Sequence, residues 1–259
     1  MGATTSFIYD PMGIIIFLVG LSFMPFMAML VTSYTKLVVV MNLLRQAMGL
    51  QQVPPNMVIN GIAIILTLYI MAPTLQETVH RIVESNEVLN LRKTKDLSFE
   101  LPQKMKPYAN SESNDILWMT SIMNVNERDK VAELKGILGY TKQPIIDFLM
   151  KHSTPKHRAF FTHIAKRLWP KAYLKDLKDT DLIICVPAFV LSELTAAFEI
   201  GFLIYLPFIA IDLVISNILL AMGMMMVSPM TISLPFKLML FVLVSGWDKL
   251  VEALALTYR

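Results

Sequence analysis

Two stretches of the chain carry no charge over lengths that a soluble domain rarely tolerates. They are the 25 residues between Asp10 and Lys36 and the 31 residues between Arg45 and Glu77. A helix needs about 20 apolar residues to cross the hydrocarbon core of a bilayer, so either stretch is long enough. The pattern returns after Leu182. From there to Trp247 only Glu193, Glu199, Asp212 and Lys237 interrupt the apolar sequence, leaving one run around Ile200 to Ile211 and another from Leu213 to Phe236. Of the 43 charged residues, 32 (18 Lys and Arg, 14 Asp and Glu) lie between Gln76 and Asp181, and the other 153 positions share 11. The 17% charged content and mean hydropathy of +0.55 sit far from the roughly one-quarter charged composition of soluble domains, which argues against a cytosolic enzyme. The predicted fold is therefore an all-α, membrane-associated protein, two long apolar helical hairpins flanking a small helical polar domain. The predicted units are residues 1–75, 76–181 and 182–259, the last with a Met-rich turn.

Within the first unit, helix is expected from Met12 until Gly49 and the Val53-Pro54-Pro55-Asn56 turn break it, with a second helix to about Pro73. Pro25 predicts a kink. In the polar block, Ser153-Thr154-Pro155 reads as a cap and first turn, followed by Phe160, Phe161, Ile164, Ala165 and Leu168 at helical spacing until Trp169-Pro170 ends the run. Residues 86–114, rich in Lys, Glu, Ser and Asn with Pro102 and Pro107, read as loop. The N-terminus lacks the basic region of a cleavable signal peptide, so the first apolar run is expected to stay in the mature protein; the Met1 to Ser6 fit to a myristoylation pattern is too loose to carry weight. Lys36 and Arg45 flank the short connection, and the positive-inside tendency puts that connection in the cytoplasm. The polar block and both termini then fall on the opposite side.

Little in the sequence suggests chemistry. Cys185 is the single cysteine, which excludes an intrachain disulfide or a multi-cysteine metal site. His152, His157 and His163 are spaced five and six apart, not the i, i+4 spacing that puts two ligands on one helix face, and are expected to be solvated. No phosphate loop, nucleophile elbow or His-Glu-x-x-His motif occurs, so no catalytic, cofactor-binding or metal site is predicted. The formal net charge of +3, without a basic stripe interleaved with aromatics, gives nucleic acid no purchase. Glu193 and Lys237 are isolated in apolar runs, where an unpaired charge costs at least about 2.5 kcal/mol on insertion scales; each needs a partner, a wet cavity or an interface to snorkel to. Glu199 and Asp212 raise the same question. Met222, Met224, Met225 and Met226 cluster around Gly223 before Ser228-Pro229, where the second apolar block turns back. Unbranched thioethers at a turn can form a deformable constriction or simply fill gaps.

The motifs then resemble one family. Leu203-Ile204-Tyr205-Leu206-Pro207-Phe208, Ile211-Asp212-Leu213, Ala221-Met222-Gly223-Met224-Met225-Met226-Val227-Ser228-Pro229-Met230, Leu234-Pro235-Phe236-Lys237 and Gly246-Trp247-Asp248 are similar to the FliP/SctR export-gate subunits of bacterial type III secretion systems. Thr32-Ser33-Tyr34-Thr35-Lys36, Leu43-Leu44-Arg45-Gln46-Ala47, Pro54-Pro55-Asn56 and Met71-Ala72-Pro73 match the same family in the same order. Gln51-Gln52-Val53, Lys166-Arg167-Leu168-Trp169-Pro170 and Ser228-Pro229-Met230 resemble the virulence injectisome branch more than the flagellar one.

The resemblance implies a non-enzymatic inner-membrane subunit, multi-pass by hydropathy, in an assembly largely on the periplasmic side. It implies a pentameric ring closed with SctS-like and SctT-like subunits, other export-apparatus proteins as partners, and a channel for unfolded secreted proteins. It also implies that Met222, Met224, Met225 and Met226 form a methionine gasket at the constriction, and that Glu193 and Lys237 pair across neighbouring subunits. The alternatives are a flagellar export-gate subunit or, in another class, a small-molecule or ion transporter, which the few spans and lack of an inverted repeat disfavour.

Overall fold

A computed structural model describes residues 11–50, 53–94, 128–170, 174, 177–224 and 226–259. Among the described residues there are eight helices and no strand: α1 (Pro11–Val31), α2 (Tyr34–Ala47), α3 (Asn56–Thr94), α4 (Arg128–His152), α5 (Pro155–Leu168), α6 (Leu182–Ala221), α7 (Pro229–Leu243) and α8 (Gly246–Leu256). The all-α architecture with long apolar helices is as the sequence predicts. The arms differ in detail.

The first arm is not one helix. It breaks at Thr32-Ser33, and the segment Pro25–Val31 meets α2 at 78°. The Thr35 hydroxyl donates to the Met29 carbonyl at 3.0 Å, taking over a backbone acceptor released at the bend, as Ser and Thr do where a helix changes direction. Pro25 lies inside α1. The second arm, α3, does not stop near Pro73 but runs to Thr94, so it passes unbroken across residue 75. Residues 86–94, read as loop, are therefore helix. Glu, Leu, Arg and Lys are good helix formers, and between Pro73 and Thr94 there is neither proline nor glycine to end the run. Residues 95–114 of the expected loop lie outside the described residues.

α4 packs on the polar half of α3. Arg81 donates to the Tyr140 carbonyl at 3.1 Å and lies over the Tyr140 ring, whose hydroxyl donates to Glu84 at 2.8 Å. The turn into α5 is held by Arg158, which donates to the Met150 and Ser153 carbonyls at 3.0 and 2.6 Å, satisfying acceptors that a helix C-terminus leaves open. α5 begins at Pro155 after an extended Thr154 and ends at Trp169-Pro170, as its sequence signals predict. Its buried face carries Thr162 and Ala165, while Phe160 and Leu168 are exposed, because α5 packs mainly against α6.

α6 is the central element and packs against α2, α4, α5 and α7. Leu37, Val40, Leu44 and Ala47 of α2 form one buried stripe against Ala197 and Phe208 of α6, with Ala63, Phe241, Leu250 and Leu254 completing the core. A second core joins Met71, Phe148, Leu149, Cys185, Phe189 and Tyr258. Gly201 lets α2 come close: a Cβ there would stand 2.3 Å from Leu43 Cδ1. By length and composition, Asn56–Ser85 and Leu182–Ala221 can cross a membrane, and the bent pairs Pro25–Val31 with α2 and α7 with α8 would raise the number to four.

Candidate functional site

The tip of the C-terminal hairpin is built by its own sequence. α6 ends in the double hydrogen-bonded motif that a left-handed residue allows: Gly223 at φ 72° donates to the Leu220 carbonyl at 3.0 Å, and Met224 donates to Leu219 at 3.0 Å. The same motif ends α2, where Gly49 donates to Gln46 and Leu50 to Arg45 at 2.9 and 3.2 Å. After the tip, Ser228 is extended and Pro229 starts α7 at its first position, where a missing N–H costs nothing. Met222 and Met224 are exposed, and Met226 is fully so. Met225 lies outside the described residues. Large apolar side chains are thus exposed at this turn.

The two arms are clamped below this tip. Lys237 Nζ is 2.6 Å from Asp212 Oδ2 and donates to the Ala47 carbonyl at 3.2 Å. Ser233 donates to the other Asp212 oxygen at 2.6 Å. One lysine therefore bridges α6 to α7 and also sits at the C-terminus of α2, where a cation complements the helix dipole. Glu193 is neutralised separately. Its Oε1 is 2.9 Å from Lys36 Nζ, with side-chain exposures of 2% and 5%, and the Tyr258 hydroxyl donates to Oε2. Lys36 also lies 4.2 Å above the centre of the Tyr258 ring, a favourable cation–π position.

The structure therefore does not bring Glu193 and Lys237 together within the chain. Each isolated charge finds a partner on another helix of the same chain, Lys36 and Asp212 respectively; a contact of Glu193 with Lys237 across neighbouring subunits is a proposal that double-mutant cycles test. Lys36 is likewise a core residue rather than a loop cation. The signal for it is in the sequence: Lys36, Val40, Leu44 and Ala47 recur at helical spacing, so the lysine occupies an apolar stripe and requires a buried acid.

Of His152, His157 and His163, the first two are engaged, against the expectation that they are solvated. His152 lies 4.7 Å from the Phe148 ring centre and 5.0 Å from that of Tyr258. Its burial, then the Lys151 and Lys36 ammoniums, bring its pKa down to about 4. His157 Nδ1 is 2.8 Å from Ser192 Oγ, the residue before Glu193. His163 is exposed.

With both hairpins and their clamps in place, the comparison with known proteins is decisive. The FliP family profile matches residues 17–254. The chain belongs to the FliP family. It is 45% identical over 249 residues to the "Yop proteins translocation protein R" of Yersinia pestis, covering 96% of this chain and 97% of the relative. It is 42% identical over 246 residues to the "Hypersensitivity response secretion protein HrcR" of Ralstonia nicotianae, covering 95% and 96%. The "Flagellar biosynthetic protein FliP" of Aquifex aeolicus is 38% identical over 250 residues, covering 96% and 87%. For this FliP-family chain the match takes in α2 to α7 entire, with the methionine tip and the Lys36–Glu193 and Asp212–Lys237 ion pairs; Tyr258 lies beyond it.

Proposed function

We propose that this chain is an export-gate subunit of a type III secretion system of the injectisome branch, located in the bacterial inner membrane. Its place in the FliP family and the secretion and translocation names of relatives above 40% identity support the secretion role and the branch. Copies of the chain form a pentameric ring that closes with SctS-like and SctT-like subunits around a path for unfolded protein. The observation that carries this reading is the tip at Met222 to Met226, an exposed methionine cluster at the end of an apolar hairpin whose arms are clamped by Asp212, Lys237 and Ser233.

Thioethers from several copies converge on one axis, seal against ions when idle, and yield around the side chains of a passing polypeptide, which stiffer Leu or Val would do less well. The chain supplies a constriction and no bond-breaking chemistry. Both hairpins are membrane-embedded or face neighbouring subunits, and the polar block lies on the periplasmic side. The test is the composition of the assembly. Co-expressed with SctS-like and SctT-like proteins and extracted in mild detergent, the chain should run in native mass spectrometry as five copies bound to both partners. A monomer or dimer without them would support the small-molecule transporter instead.

A further inference from the structure

Two polar ties hold the C-terminal hairpin, and they differ in what they connect. Near the tip, Lys237 of α7 joins Asp212 of α6 and the Ala47 carbonyl at the end of α2. Near the open end, Tyr258, just past the end of α8, is buried among three other helices. Its hydroxyl donates to Glu193 of α6, its ring lies under Lys36 of α2, and the Phe148 and His152 rings of α4 are centred 6.2 and 5.0 Å away. Glu193 and Asp212 are 19 residues apart on α6, about 28 Å of helix, so the ties can break separately. The lower tie stays within the hairpin and α2. The upper one also grips α4, a helix of the polar block.

Between the ties the return arm bends. α7 and α8 meet at 62° through Ser245 at φ 51° and ψ 50°, the left-handed region, which costs a non-glycine residue free energy and persists only where the surroundings impose it. Beyond this bend α8 has 11 residues, and its buried side chains are Leu250 and Leu254. A helix of three turns is marginal on its own, so where α8 lies depends on what holds its far end. That end is Tyr258, which joins Phe148, Cys185 and Phe189 in the second core.

We propose that Tyr258 is a releasable latch of the gate, an inference that rests on the export-gate reading. Seated, it fixes α8 to α2, α4 and α6, and the arm that carries the methionine tip is tied at both ends. Released, α8 swings about Ser245 and the tip is left on the Asp212–Lys237 clamp alone. Release strands no lone charge, because Lys36 and Glu193 still neutralise each other at 2.9 Å when the ring has gone. The polar block is the handle: a shift of Phe148 and His152 withdraws support from Tyr258 without touching the clamp.

The test uses the full chain in the assembly in which it is extracted. In the wild type, hydrogen exchange should find α8 opening as one unit, its amides less protected than those of α7. Tyr258→Phe keeps the ring and loses one hydrogen bond; it should speed exchange in α8 by about fivefold or more and leave α7 unchanged. The channel readout uses His152→Cys combined with Tyr258→Cys, the native Cys185 being buried. With both new thiols free, reconstituted assemblies should conduct ions several-fold more than wild type, and joining the thiols with a short bis-maleimide should return conductance to the wild-type level. A Tyr258 that only stabilises the fold would lower the amount of assembly and leave conductance per complex indifferent to the bridge. Equal protection of α7 and α8 in the wild type would overturn the latch without recourse to any variant. So would wild-type conductance of the unbridged pair, or a leak that the bridge does not reverse. Failure of the export reading shows elsewhere, as an assembly without SctS-like and SctT-like partners.

Discussion

Glu193 is held by two partners, Lys36 and Tyr258, and its surroundings determine what its removal does. Lys36, Glu193 and Tyr258 are all buried, and a buried pair broken on one side leaves a charge without compensation, at about 3–5 kcal/mol. Lys36→Met should therefore destabilise the purified protein severely in denaturant unfolding, and adding Glu193→Gln should recover much of the loss. Tyr258→Phe removes one donor from the carboxylate and should cost less, about 1–3 kcal/mol. Pairing can be read from double-mutant cycles: Asp212 with Lys237, and Lys36 with Glu193, should each show coupling, whereas Glu193 with Lys237 should be additive. Additivity in the first two and coupling in the third would support the inter-subunit pair instead. His152 gives the residue scale a pH dependence. Its pKa falls from the ordinary 6.5 to about 4 in the fold, so the unfolded chain takes up a proton first and stability must fall with pH. The contribution is complete above about pH 6.5 and is lost as pH drops through that value towards 4. Thermal unfolding across this window should show the decline in wild type and a shallower one in His152→Phe. Equal slopes would place the titrating group elsewhere.

At the scale of elements, legibility tracked how local the deciding interaction was. The α5 start and stop and the turn between α6 and α7 are written in runs of neighbouring residues and stand where the sequence puts them, while the first apolar hairpin is helical as expected but with other bounds. The bend at Thr32-Ser33 and the partners of Glu193 and Lys237 depend on contacts 6 to 190 residues apart, which periodicity does not encode, whereas the reach of α3 to Thr94 follows from local helix formers that the polar composition of the stretch obscured. The exposed and core-facing sides of α5 were likewise indistinct, because its apolar residues outnumber those that its packed neighbours cover. Two substitutions test elements directly. Gly223→Ala forces a Cβ into the left-handed region at φ 72° and should cost about 1–2 kcal/mol while loosening the hairpin tip. Gly201→Val drives into Leu43 and should separate α2 from α6, at about 1–3 kcal/mol of overpacking. A Gly201→Val protein with wild-type melting behaviour would mean that the close approach of these helices contributes little.

At the scale of the whole molecule, α6 sets the frame. Its 40 residues extend about 60 Å, twice the hydrocarbon thickness of roughly 30 Å. Its N-terminal half, with Ile184, Ala188, Phe189 and Ala197, is buried by neighbouring helices, while Phe202, Leu206, Leu213 and Leu220 of the other half are exposed. Hydropathy alone therefore overstates how much of it a bilayer needs to cover. Orientation rests on Arg45, since Lys36 is in the core, and a reporter active only in the cytoplasm, fused near Asn110, should be silent. Strong activity there would reverse the topology. The central claim, that the methionine tip seals a protein-conducting channel, has one direct measurement: ion conductance of membranes carrying Met222, Met224, Met225 and Met226 all changed to Ala, at wild-type levels of assembled complex. A leak that the wild type lacks, with assembly intact, is the predicted result. Wild-type conductance together with wild-type secretion would show that the cluster only packs a turn and that the seal lies elsewhere.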